Sequence, residues 1–447
     1  MNDSLFGTDG VRGQANTWPM TAEVALKLGA AVGRHFRKNQ DVHRVVIGKD
    51  TRLSGYMIEN ALTAGFTSVG MDVFLLGPVP TPGVGYLTRS MRADVGVMIS
   101  ASHNPASDNG IKFFDPKGFK LSHEAEADIQ KIMQKGPVLA NHARIGRVKR
   151  IDDALGRYVE RTKRIFPRHL KPRGLRIVVD CANGAAYQAA PTILWELGAE
   201  VVSIGVKPNG HNINKGCGST DCTAVVEKLL KVGAHLGICL DGDADRAILV
   251  DEKGQIIDGD RILGVLALDW HRRGLLRGGA VVGTAMSNLG LEQCLNAQGI
   301  ALKRTLVGDR YVAETMRQDG LNLGGESSGH IVMADHATTG DGLLAALQFL
   351  AIMLEADQPA SALTSAMPMV PQQLRNVSMN SAMVRPDTKQ IDQITTPAQK
   401  RLGAKGRILV RPSGTEPLMR IMVECSDSKL LAQVLDEVEG QVKSRWG

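Results

Sequence analysis

The sequence predicts an α/β protein of several domains, on three observations. A strand, polar turn, helix, glycine and second strand follow one another at three places along the chain. Glycine is abundant, at 49 of 447 residues, and aromatics are scarce at 4%, a balance that suits tight strand-to-helix turns over aromatic-rich sandwiches. The last part of the chain reads differently, as a smaller α+β unit. A chain of 447 residues also exceeds what one hydrophobic core organises, so three or four domains are expected.

The first unit opens with Val45-Val46-Ile47-Gly48-Lys49-Asp50, an apolar strand running into a polar turn. A helical stretch, Gly70 and a second strand at 73–76 complete it. The pattern returns at Ile177-Val178-Val179-Asp180-Cys181-Ala182-Asn183-Gly184, with a helix ending near Gly198 and a strand at 201–204. It returns again at Val281-Val282-Gly283-Thr284-Ala285-Met286-Ser287-Asn288, with a helix ending near Gly299 and a strand at 302–307. Each is a βαβ unit. Residues 356–371, rich in Pro, Ala, Ser and Met, read as a connection between domains. Strands at 408–410 and 420–424 follow. Leu431, Val434, Leu435, Val438 and Val442 then recur at helical spacing. The expected domains are 1–152, 153–255, 256–366 and 367–447.

Composition narrows the function classes. The formal charge of +7 is mild over this length, and aromatics for base stacking are few, so no nucleic-acid partner is expected. The basic residues between Arg161 and Arg173 are mixed with turn residues and read as a solvated face. A mild positive balance suits anionic small substrates such as phosphates. The six cysteines form no Cys-x-x-Cys pair, which fits a reducing compartment. The N-terminus has no basic start and no apolar run, and the most apolar stretch, 343–354, is broken by Gln348 and too short to span a bilayer. A cytoplasmic enzyme with no membrane partner is expected; a homo-oligomer is left open.

Four segments carry chemistry. Ser102, in Ile99-Ser100-Ala101-Ser102-His103-Asn104-Pro105, follows an apolar run and is expected on a turn at a strand's end, where a nucleophile or phosphate carrier can be presented. The plain alternative is a capping serine. Asp241-Gly242-Asp243-Ala244-Asp245-Arg246 lies between apolar strands. Three carboxylates at alternate positions repel one another unless a cation sits between them, and hard oxygen ligands select Mg²⁺ or Ca²⁺. The EF-hand reading fails because Arg246 stands where that loop needs glycine and the flanks are strands. Arg246 either neutralises the carboxylates or directs charge at a phosphoryl group. Arg411-Pro412-Ser413-Gly414-Thr415-Glu416-Pro417 suits a phosphate dianion, though Ser-Gly-Thr also makes an ordinary turn. In Gly324-Gly325-Glu326-Ser327-Ser328-Gly329-His330, Glu326 and Ser328 alternate along one extended face and could both hold vicinal sugar hydroxyls; a glycine turn is the alternative. Gly7-Thr8-Asp9-Gly10-Val11-Arg12-Gly13 is a fourth glycine-rich loop with one arginine, weak by itself.

Together these segments resemble the α-D-phosphohexomutase superfamily over essentially the whole chain, with four motifs in the family's order. Residues 7–13, 208–214, 307–312 and 338–342 look like its bacterial branch acting on hexosamine phosphates. The resemblance implies four domains around a central cleft, three repeated α/β domains with mixed sheets and a smaller C-terminal α+β domain. It implies that Ser102 is a phosphoserine, and that Asp241, Asp243 and Asp245, with Ser102, hold Mg²⁺. Lys112 matches the family's general base, Arg12 and Arg246 its phosphoryl-neutralising arginines, and His330 joins the catalytic set. Glu326, Ser328 and Arg310 would bind the sugar phosphate, and Arg411, Ser413, Gly414, Thr415 and Arg420 the non-reacting phosphate. The implied activity interconverts glucosamine 6- and 1-phosphates through a 1,6-bisphosphate, on the route to UDP-N-acetylglucosamine and cell-wall precursors. Glucose or mannose phosphates are the nearest alternative substrates, and a non-catalytic sugar-phosphate binder is the alternative of another class. Two departures from the family pattern are Ala244, where glycine is usual, and Ser327, where this branch usually has Gln or Asn.

Overall fold

The computed structural model describes residues 5–7, 9–37, 42–379, 386–413 and 418–447. Among them four sheets follow one another along the chain. The first has six strands in the order Val11–Gln14, Asp108–Phe114, Val95–Ile99, His43–Lys49, Met71–Pro78, Val148–Arg150. Its centre is parallel and its Val11–Gln14 end antiparallel. The second runs Ile256–Ile257, Ala247–Asp251, Leu236–Leu240, Arg176–Asp180, Glu200–Ile204. The third runs Ala301–Thr305, Ala280–Thr284, Leu323–Gly325, Ile331–Met333. Both are also mixed, with a parallel βαβ core extended by two antiparallel strands in the second sheet and by one in the third. The last sheet is antiparallel, with Leu418–Cys425 between Gln372–Ser378 and Gly406–Pro412.

The three βαβ units of the sequence form as expected, because each central strand is a continuous apolar run buried on both faces. Residues 45–49 and 177–180 and all of Ala280–Thr284 are buried. The connection read at 356–371 is more ordered than expected. It contains the short helix Ala360–Ser365, begun behind Pro359, whose Ala360 is buried.

The most apolar stretch becomes the helix Gly342–Ala356, buried without a break from Gly342 to Leu347 and from Phe349 to Met353. It belongs to one apolar cluster that includes Val84 and Met98 of the first sheet's region, Ile177 and Leu249 of the second, and Val281 and Leu323 of the third. No helix among the described residues is long and apolar enough to cross a membrane. Asp341 caps this helix by accepting from Leu344 N–H at 3.0 Å, and its Oδ1 also accepts from the buried Tyr158 hydroxyl at 3.0 Å. One carboxylate thus ends a loop, starts a helix and ties two domains.

Candidate active site

Ser102 ends the turn after Val95–Ile99, with φ of 53° and 1% exposure. A left-handed φ on a non-glycine residue costs about 1–3 kcal/mol, so surrounding contacts must hold it. They do so from below. The Ser102 N–H donates to Ser100 Oγ at 2.9 Å, and Ser100 Oγ donates to Asp50 at 2.6 Å. Arg52, fully buried and paired with Asp50 at 2.8 Å, donates to the carbonyls of Ser102 at 2.9 Å, Asn104 at 2.8 Å and Asp108 at 3.0 Å. Asn214 reaches across from the second domain to the carbonyls of Ser102 at 2.8 Å and Asn104 at 3.0 Å. With its backbone fixed, Ser102 points its hydroxyl at Asp241, donating to Oδ2 at 2.6 Å.

The acidic loop joins the antiparallel strands Leu236–Leu240 and Ala247–Asp251. Asp241, Asp243 and Asp245 are buried, and one oxygen from each lies within 4.8 Å of the others. Burial, then the charges of Asp245 and Asp243, pushes Asp241 well above the ordinary carboxylate range. Among the described residues, nothing hydrogen-bonds to the buried Oδ1 of Asp243 or to that of Asp245. A cluster that is crowded, hard and under-partnered can hold a metal ion. Ala244 has φ of 57°, which explains why a glycine suits that position; alanine costs about 1 kcal/mol there. Two glycines let the sugar loop and the start of the helix Gly342–Ala356 close on the end of the acidic loop. A Cβ on Gly329 would lie 2.1 Å from the Ala247 carbonyl, and one on Gly342 would lie 2.3 Å from that of Arg246.

Lys112 lies on the strand next to the Ser102 turn. Its Nζ donates to Asp243 at 2.9 Å and Asp245 at 3.1 Å and sits 3.3 Å from Asp9. Burial opposes its charge, but Asp243, Asp245 and Asp9 outweigh burial and hold it well above the ordinary lysine value. Arg12 pairs with Asp9, and Arg246 Nε lies 3.8 Å from Asp245. Burial, then Arg246 and Arg12, pushes the His103 imidazole down to about 4, so it stays neutral beside Ser102 at neutral pH. His330 is buried with Nε2 3.2 Å from Asp309 and 4.0 Å from Asp245. Against burial, Asp309 and Asp245 raise its pKa.

Glu326 Oε1 accepts from Gly308 N–H at 3.0 Å, and Ser328 Oγ donates to Glu326 Oε2 at 3.5 Å. Arg310 is placed differently from the expectation: its guanidinium donates to Glu126 at 3.0 Å and contacts His123, which makes it a tie between the first and third domains. Arg411 and Arg420 are cross-strand partners beside a cavity of about 320 Å³ that Asn376 and Met286 also line. Burial and the Arg420 charge lower the Arg411 pKa, as expected where two guanidiniums share one space. Ser413 is buried at the end of the same strand pair. Gly414 and Thr415 lie outside the described residues.

Sequence reasoning missed the supports: Asp50, Arg52, Ser100, Asn214 and Thr81, whose hydroxyl donates to Asp243 at 2.6 Å. A signal existed for two of them. Asp50-Thr51-Arg52 is polar and directly follows an apolar parallel strand, the end at which α/β sheets build their sites.

This architecture and this cluster define a four-domain sugar-phosphate mutase fold, and the chain belongs to the phosphoglucomutase/phosphomannomutase family. It matches the family's α/β/α domain I over residues 3–138, domain II over 156–254, domain III over 258–370 and the C-terminal domain over 376–441. It is 61% identical over 446 residues to the phosphoglucosamine mutase of Paracoccus denitrificans, covering 99% of both chains. It is 59% identical over 441 residues to that of Ruegeria sp., covering 98% of this chain and 99% of the relative. Among solved structures, a phosphoglucomutase/phosphomannomutase family protein from Burkholderia thailandensis superposes with a TM-score of 0.83 at 26% identity, covering 99% and 97% of the two chains. The N-acetylphosphoglucosamine mutase of Aspergillus fumigatus, solved with GlcNAc-6P and magnesium, shares the fold at TM-score 0.67 and 18% identity, covering 98% and 95%.

Proposed function

We propose that the chain is a phosphoglucosamine mutase working through a phosphoserine at Ser102. The observation that carries this reading is the Ser102 hydroxyl set 2.6 Å from Asp241 inside a buried three-carboxylate cluster. Asp241, Asp243, Asp245 and Ser102 would hold Mg²⁺, which fits the partnerless Oδ1 atoms of Asp243 and Asp245. When bound, the cation offsets negative charge on the transferring phosphoryl group.

In the first half-reaction the Ser102 Oγ–P bond breaks and a bond forms from that phosphorus to O1 of glucosamine 6-phosphate. Lys112 takes the O1 proton as a neutral amine and becomes the ammonium that Asp243 and Asp245 hold at 2.9 and 3.1 Å. Arg12 and Arg246 face the phosphoryl group with fixed positive charge. The 1,6-bisphosphate then reorients, its 6-phosphoryl returns to Ser102, and the proton returns to O6, leaving glucosamine 1-phosphate. His330, its Nε2 3.2 Å from Asp309, adds a polar group on the sugar side. Glu326 and Ser328 hold sugar hydroxyls. Arg411, Ser413 and Arg420, with Gly414 and Thr415, hold the phosphate that is not reacting, so orientation lowers the entropic barrier. In this reading Arg310 serves the substrate only when released from Glu126. The same reading makes this a cytoplasmic enzyme, supported by six cysteines that form no disulfide.

Intact mass of the purified protein tests the phosphoserine: one phosphate mapped to Ser102 is expected, and Ser102→Ala should lose at least a thousandfold in mutase rate. Full activity in that variant removes the mechanism. A panel of glucosamine, glucose and mannose 6-phosphates tests the substrate, and faster turnover of mannose 6-phosphate overturns the choice.

A further inference from the structure

We infer that Asp309 reads the ammonium group at C2 of a glucosamine phosphate, and so sets the preference for an amino sugar over glucose and mannose phosphates. This rests on the mutase reading above. Asp309 begins the helix Asp309–Gln318, directly after Gly308. The Gly308 N–H is the group that fixes Glu326 Oε1 at 3.0 Å. One backbone link therefore joins the carboxylate proposed to hold the sugar hydroxyls to the Asp309 carboxylate. His330, from the sugar loop itself, approaches Asp309 from the other side at 3.2 Å.

The two oxygens of Asp309 are not equivalent. Lys120 Nζ and His330 Nε2 both meet Oδ2. Oδ1 has no partner among the described residues, and the side chain keeps 13% of its surface exposed. The carboxylate is secured as an anion, because Lys120 and His330 outweigh the effect of burial. Oδ2 is thus committed to the protein, while no described residue pairs with Oδ1 of the same anion. Glucose and mannose offer a neutral hydroxyl at C2, whereas glucosamine offers a cation with three donors. Both substrates can donate to the carboxylate, but only the ammonium adds a direct attraction between opposite charges, which a partly buried site screens less than water does.

The test compares kcat/KM of the full-length phosphorylated enzyme on glucosamine 6-phosphate and glucose 6-phosphate, each primed with its own 1,6-bisphosphate. Asp309→Asn keeps the shape and removes the charge. It should lose at least tenfold more on glucosamine 6-phosphate than on glucose 6-phosphate, and Asp309→Ser should shift the ratio in the same direction. Equal losses on both substrates, or an unchanged ratio, overturn the inference while leaving the mutase reading intact. A wild-type enzyme that fails to turn over glucosamine 6-phosphate overturns the mutase reading itself. Binding supplies a measure that needs no Asp309 variant. In Ser102→Ala protein, glucosamine 6-phosphate should bind at least fivefold tighter than glucose 6-phosphate by calorimetry, and equal binding counts against Asp309.

Discussion

Arg52 grips the carbonyl of Ser102 and leaves its hydroxyl alone. Its guanidinium is buried against an equally buried Asp50, so removing either partner leaves an uncompensated charge, at about 3–5 kcal/mol. Arg52→Met should therefore lower unfolding stability by about 3 kcal/mol in urea titration and reduce kcat at least tenfold. Arg52→Lys should keep much of the stability yet not the rate, because one ammonium cannot span the carbonyls of Ser102, Asn104 and Asp108. A lysine variant with full kcat would show that the turn holds itself. At this scale the sequence exposed the buried cluster itself, since Ser102 and the three aspartates stand in unusual local strings. Asp50, Arg52 and Asn214 were not legible as supports, because their partners lie on the other side of a turn or in another domain.

The elements themselves were largely legible, since buried parallel strands need unbroken apolar runs and their βα turns need glycine and polar residues. The short helix Ala360–Ser365 was not, because Pro359 and small residues read as a connection until a neighbouring helix supplies the surface that buries Ala360. The helix Gly259–Arg272 offers a test of how an element is anchored. Its Asp260 accepts from Asn288 N–H at 2.8 Å and is almost fully buried. Burial, with the neighbouring Asp258 charge adding to it, pushes Asp260 up to about 7. Between the ordinary carboxylate value of about 4 and that value, the folded chain keeps a proton that the unfolded chain has released. The contribution of Asp260 to stability is thus present below pH 4 and is lost as pH rises toward 7. In Asp260→Asn this loss should vanish: from pH 5 to pH 8 the melting temperature of the parent should fall relative to the variant. Parallel melting curves across that range would refute the assignment.

For the molecule as a whole, the last domain is held on the third by a small set of polar contacts. Arg407 pairs with Glu424 at 2.9 Å and donates to the carbonyls of Ala285 at 2.8 Å and Ser287 at 2.9 Å. The Asn288 amide exchanges two hydrogen bonds of 3.0 Å with the backbone of Val370, where the chain enters that domain. These contacts set where Arg411 and Arg420 stand. Arg407→Ala should raise KM for the sugar phosphate about tenfold and change kcat less, as steady-state kinetics will report; a fall in kcat at constant KM would count against this role. The sequence marked the last domain as different in kind. How it docks was not legible, because Arg407 and Glu424 look like ordinary strand charges until Ala285 and Ser287 arrive from another domain.

The facing of Arg411 and Arg420 has a consequence for how such an enzyme sits in metabolism. Two guanidiniums across one strand pair repel each other when nothing lies between them. Any dianion of the right size relieves that repulsion, whatever sugar it carries. If Arg411 and Arg420 hold the non-reacting phosphate as proposed, orthophosphate and unrelated phosphate esters compete for the same grip, and the mutase rate follows the surrounding phosphate supply.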